Sequence, residues 1–246
     1  MRVPLTNRKE STVSARNQEN LRRRSFLKFA GFATASTAIV LSGCKEVLDQ
    51  LPYPVDVDPD DYVLKTVRLG KGDTGVLNYA YTLEQLEAEF YIQVVASSSF
   101  ASMFNYYEQR SLREIRDHEV VHRDFLKAAL GEKAIGQLKF DFKAVNFEDK
   151  QSILQTAKTF EDLGIAAYNG AGKRLASADL LTIAGKIVSV EARHASIIRS
   201  LVDTDPTSFA GDDIIDMNGL DLAYEPAKVL EAANPFILNK IDASEL

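Results

Sequence analysis

The chain has one cysteine, three histidines and, beyond its first 43 residues, few basic side chains. A single cysteine, Cys44, permits no internal disulfide, and no CxxC pair is present to hold a rubredoxin-type iron centre. Residues 1–43 hold eight of the 29 Lys and Arg but two of the 35 Asp and Glu, so the remaining 203 residues carry 21 basic and 33 acidic groups, a net of about −12. So acidic a surface argues against nucleic acid as a partner, because phosphate is bound by clustered lysine and arginine. It also repels anionic lipid, so any membrane attachment must come from elsewhere. The apolar run Phe29 to Leu41 is too short and wrongly flanked for a membrane-spanning helix.

What precedes and ends that run is more specific. Arg23-Arg24-Ser25-Phe26-Leu27-Lys28 looks like a twin-arginine export signal, and Leu41-Ser42-Gly43-Cys44 resembles a bacterial lipobox, in which the cysteine takes a diacylglyceryl thioether and cleavage falls before it. Both motifs set one boundary. The expected organisation is a signal peptide at 1–43 and a lipid-anchored linker at 44–73, marked by Pro52, Pro54, Pro59 and the acidic stretch Asp56 to Asp61. A helical domain follows at 74–203, and then a C-terminal extension at 204–246 broken by Pro206, Gly211, Gly219 and Pro226. Two-chain acylation tethers a protein stably. The expected location is therefore the cell envelope or periplasm, with Cys44 as lipid anchor and the membrane as partner. Lys45, where an aspartate would stand, gives no inner-membrane retention signal of the enterobacterial kind.

Helical periodicity predicts four long helices, near 76–104, 109–130, 148–174 and 177–202, with Gly131 as a C-cap and Asn146 and Ser177 as N-caps. Short links join the first to the second and the third to the fourth, with a longer link between the pairs. This is an all-α antiparallel four-helix bundle of two hairpins with an irregular C-terminal extension. Phe140 and Phe142 suggest a short extended piece in the long link, and Ala227 to Ala233 a short helix near the end.

Within this frame Glu119-Val-Val-His122 and Glu191-Ala-Arg-His194 share one pattern. A carboxylate and an imidazole three residues apart on a helix are separated by about 60° of arc, so both can reach one metal ion. An internal repeat selects the partners. Thr82-Leu-Glu84-Gln-Leu86 and Thr159-Phe-Glu161-Asp-Leu163 align, with Tyr91 and Tyr168 each seven residues beyond its glutamate. Glu87 is the rival to Glu84 on the first helix, but the repeat puts Gly164 opposite it. The stripes Leu112, Ile115, Glu119, His122, Leu126, Ala129 and Ala184, Ile187, Glu191, His194, Ile198, Leu201 place the motifs among apolar residues. Four glutamates would then be buried, which is too costly for ionised carboxylates unless they are paired or coordinate a cation, and metal would supply that charge.

One ExxH alone is a weak signal, whereas two in register with repeat-matched glutamates are specific. The ligand pattern resembles the ferritin-like di-iron carboxylate bundles. The resemblance implies two iron ions, or manganese in their place, held by Glu84, Glu119, His122, Glu161, Glu191 and His194, with one glutamate of each ExxH bridging. It implies oxidoreductase chemistry toward Fe(II), dioxygen, peroxide or a small substrate. The chain is thus expected to be an exported ferritin-like lipoprotein, with homo-oligomerisation left open. Two rival readings remain. A non-catalytic envelope scaffold would keep the bundle and use the polar cluster as a hydrogen-bonded network. A zinc protease would read His118-Glu119-Val-Val-His122 as HExxH, leaving Glu84, Glu161 and the second pair without a role.

Overall fold

A computed structural model of the protein describes residues 66–246; the export motif, Cys44 and most of the linker lie outside them. Four long helices form the bundle: α1 Gly72–Ala96, α3 Tyr106–Leu130, α4 Lys150–Gly172 and α5 Ala178–Val202. A single turn, α2 Phe100–Met103, stands between α1 and α3, and a short helix, α6 Pro226–Ala233, follows the bundle. Two-residue strands β1 Val67–Arg68 and β2 Ile241–Asp242 pair in parallel. The core is the space between the helices, from Tyr79, Leu86 and Phe90 on α1 to Leu112 on α3, Phe160 on α4 and Ile198 on α5.

Local chemistry sets the helix ends. Asn105 and Glu108 form a reciprocal capping box at the start of α3, and Ser177 accepts from Leu180 N–H at the start of α5. Gly131 ends α3 at φ 56°, a conformation glycine adopts without strain. Three expectations need correction. The first helix stops at Ala96, not near 104, because Ser97 and Ser99 turn their hydroxyls to Phe147 carbonyl oxygen, each at 3.1 Å, and draw the chain off the helical path. The cap of α4 is Asp149, whereas Asn146 Oδ1 accepts from Glu148 N–H and closes a turn before the helix. Ala129, expected on the inner stripe, is exposed.

α1 is buried on nearly every side, which its sequence explains only in part. Asn78 donates to the carbonyls of Leu69 and Lys133 and accepts from Ile135 N–H, all at 3.0 Å, and Gln85 accepts from Leu138 N–H at 2.9 Å. These two buried amides pin the connection after α3 onto the outer face of α1 and satisfy its backbone. The C-terminal segment packs in the same way. Asp141 N–H bonds Phe236 carbonyl at 2.9 Å, while Val229, Ala233 and Ile237 enter the core. Tyr224 N–H reaches Ala166 carbonyl at 2.9 Å, an approach that needs Gly170, where a Cβ would fall 1.8 Å from Tyr224 oxygen. Residues 224–246 are therefore part of the bundle's packing. No helix among the described residues is long and apolar enough to cross a membrane.

Candidate metal centre

Each long helix sends carboxylate or imidazole groups to one level of the bundle. Glu84, Glu119 and Glu161 have no accessible surface, and Glu191 and His194 are also buried. The groups fall into two overlapping sets. Ligand atoms of Glu84, Glu119, His122 and Glu191 lie within 4.8 Å of one another, and so do those of Glu119, Glu161, Glu191 and His194. Glu119 and Glu191 belong to both sets and stand between them. All six residues singled out by the repeat and the ExxH pattern come together, while Glu87 belongs to neither set.

The imidazoles face the carboxylates through Nδ1. His122 Nδ1 is 2.6 Å from Glu191 and 3.5 Å from Glu84, and His194 Nδ1 is 2.7 Å from Glu119 and 3.0 Å from Glu191. Proximity is not satisfaction, however. Glu84 Oε2, both oxygens of Glu119, Glu161 Oε2, Glu191 Oε1 and His122 Nδ1 are buried without an aligned hydrogen bond. Leaving one buried polar atom unpaired costs about 1–3 kcal/mol, and more if it is charged, so six at one point form a donor set that a cation would satisfy. Carboxylate oxygen with imidazole nitrogen suits iron or manganese, and the donors present fit a pair of such ions.

The electrostatics of the cluster carry the same strain. Burial, reinforced by repulsion from Glu191, Glu84 and Glu161, holds Glu119 well above the ordinary carboxylate range. Burial and the other glutamates do the same to Glu87 and Glu161. Glu191 goes the other way: burial would raise it, but the His122 and His194 imidazoles outweigh burial and bring it to about 2. His122, disfavoured as a cation by burial, is nonetheless raised to about 10 by Glu191 and Glu84.

The surrounding residues are less legible in the sequence. Tyr91 donates to Glu161 at 2.5 Å and Tyr168 to Glu84 at 2.5 Å, so each repeat's tyrosine serves the other repeat's glutamate. Gly164 leaves room for Glu87, whose Oε1 would stand 2.8 Å from a Cβ there. His118 lies at the outer margin, where its Nδ1 meets His194 Nε2 at 2.9 Å. Burial and then the neighbouring His194 and His122 lower its pKa. The HExxH reading misjudges this histidine: His118 joins neither ligand set, and Glu119 points into the cluster between the helices.

A search of curated proteins finds no match. A family model described as a ferritin-like domain matches residues 72–204, which is more than half of the chain and runs from the first residue of α1 to just past the end of α5. With all four bundle helices and both ExxH motifs inside the matched span, the chain belongs to the ferritin-like domain family.

Proposed function

We propose that this chain is an exported, lipid-anchored ferritin-like protein that holds two iron ions, or manganese in their place, and uses them for redox chemistry with Fe(II), dioxygen or peroxide in the cell envelope. The observation that carries the reading is the pair of ligand sets sharing Glu119 and Glu191, with six buried donor atoms left unpaired around them. Glu84, Glu119, His122 and Glu191 would hold one ion and Glu119, Glu161, Glu191 and His194 the other, with Glu119 and Glu191 common to both sets. Bound there, the metals would supply one-electron redox steps and Lewis acidity toward an oxygen-based oxidant.

The chain's own side chains set the conditions for that chemistry. Four carboxylates offset the charge of two divalent ions, so the loaded core is near neutral. Tyr91 and Tyr168 each occupy one oxygen of Glu161 and Glu84, which leaves the second oxygen of each directed to the centre. An apolar cavity is lined by Ala80, Leu126, Ile187 and Tyr168, the tyrosine that donates to Glu84, and its chemistry suits a small apolar oxidant better than a charged substrate.

The test is metal content in full-length protein purified without chelator after iron supplementation. About two ions per chain are expected, and below about 0.2 the redox reading fails in favour of the scaffold. Paired variants address zinc: His194→Ala should deplete the metal more than His118→Ala, and the reverse order would restore the protease reading. Export and anchoring rest on the Arg23-Arg24 and Leu41 to Cys44 motifs. Cys44→Ala should move the protein from the membrane fraction to the soluble fraction, and unchanged partition would sink the lipid anchor.

A further inference from the structure

We infer that His118 is a positioning residue that fixes the ring of His194 and so makes the two metal positions unequal. The inference rests on the dinuclear reading above. His194 turns Nδ1 to the carboxylates of Glu119 and Glu191, and its other nitrogen, Nε2, meets His118 Nδ1 at 2.9 Å. The ring planes differ by 14° and the centroids are 5.1 Å apart, about the N···N distance plus one ring radius on each side. The imidazoles thus meet edge to edge, nearly in plane, as a hydrogen bond requires.

The tautomers follow. A ring nitrogen that gives its lone pair to a cation cannot carry a proton, so the neutral His194 ring must be protonated at Nε2. That N–H needs an acceptor, and His118 Nδ1 is placed to be one. His118 then carries its own proton on Nε2. A hydrogen bond to the outer nitrogen orients a metal-binding imidazole and raises its basicity.

The internal repeat shows that only one half of the centre has this support. The 72-residue shift that carries Glu119 to Glu191 and His122 to His194 carries His118 to Val190, which has no hydrogen-bonding side chain. Among the described residues no side chain bonds the outer nitrogen of His122. All six cluster residues have a repeat counterpart of the same type, but the support behind the imidazole has none. His122 instead has 12 % side-chain exposure, against 5 % for His194. The position formed by Glu161 and His194 should accordingly be the tighter and more rigid of the two.

Anaerobic titration of the full-length chain with Co(II), followed by its visible absorption and by proton NMR of the paramagnetically shifted imidazole N–H signals, tests this. The wild type should bind two ions and show one slowly exchanging N–H, that of His194, and one rapidly exchanging N–H. In His118→Leu the affinity at one position should fall about 10–100-fold, with the other position unchanged and both N–H signals exchanging rapidly. His118→Asn, whose Oδ1 occupies the place of Nδ1, should restore the affinity and the slow signal. Equal weakening at both positions, no change in His118→Leu, or no rescue by His118→Asn would each overturn the inference while leaving the dinuclear centre intact. A wild-type chain that takes up no Co(II) overturns both.

Discussion

Raising the pH should weaken the chelated protein, and the structure fixes the sign. In the absence of metal, burial and mutual repulsion keep protons on Glu87, Glu119 and Glu161 above the 4.5 at which a glutamate in the unfolded chain releases its own. His122 acts in the same direction by another route: Glu191 and Glu84 overcome burial and raise it from 6.5 to about 10, so its stabilisation is complete below 6.5 and disappears as pH rises through about 10. Glu191, lowered to about 2, stabilises fully above 4.5 and adds no slope at neutral pH. Between about pH 7 and about pH 9 His122 alone keeps a proton that the unfolded chain has released, and one extra proton costs ~1.4 kcal/mol per pH unit. The buried glutamates act in the same direction, and His122 by itself gives ~3 kcal/mol across the range. That is a large share of the ~5–15 kcal/mol that stabilises an ordinary domain. Urea unfolding followed by circular dichroism in excess chelator should show the midpoint falling steadily with pH. With saturating metal the trend should reverse, because binding displaces those protons. A chelated protein equally stable or more stable at the alkaline end would refute the reasoning.

Removing a shared ligand should differ from removing a terminal one: Glu119→Gln should reduce binding from two ions to one or none by metal analysis, whereas Glu84→Gln should spare the ion beside His194. Tyr91→Phe deletes the hydrogen bond to Glu161 and Tyr168→Phe the one to Glu84, so each should weaken one ion by about tenfold in a calorimetric titration and leave the other alone. Gly170→Ala drives a Cβ to 1.8 Å from Tyr224 carbonyl oxygen, where no side-chain rotation relieves it. A loss of about 2–3 kcal/mol is expected by urea denaturation, and a neutral result would show that residues 224–246 are not held against α4 as described. Arg199 is buried between Asp162, Asp213 and Ser208 carbonyl oxygen. Arg199→Met should cost about 2–3 kcal/mol, since Asp213 stays half exposed, and should speed amide exchange across 203–221.

The four helices and the six converging side chains were legible because each depends on spacing along a single helix and on a repeat visible by inspection. Glu84 and Glu161 would be anonymous surface glutamates without the tyrosine that follows each by two turns. What lay beyond reach depends on contacts between distant segments. The wrapping of α1 rests on Asn78 and Gln85, which look like ordinary exposed polar residues until the 133–138 connection is placed against them. The contact of His118 is of the same kind: it joins neither ligand set, and what it meets is decided by the facing helix, here the back of His194. The break after Ala96 had a local sign in Ser97-Ser98-Ser99, although serine hydroxyls leave a helix only when an acceptor such as Phe147 oxygen is in reach.

The crossed tyrosine bonds bear on how such a chain could be assembled in evolution. Tyr91 from the first hairpin serves Glu161 of the second, and Tyr168 returns the favour to Glu84. Two identical hairpins related by a two-fold axis would make the same exchange between separate molecules, each completing its neighbour's half. Fusion in one chain would preserve that reciprocity and let the halves differ, as His118 and Val190 do. Neither hairpin carries a complete centre, so the unit that selection can act on is the pair.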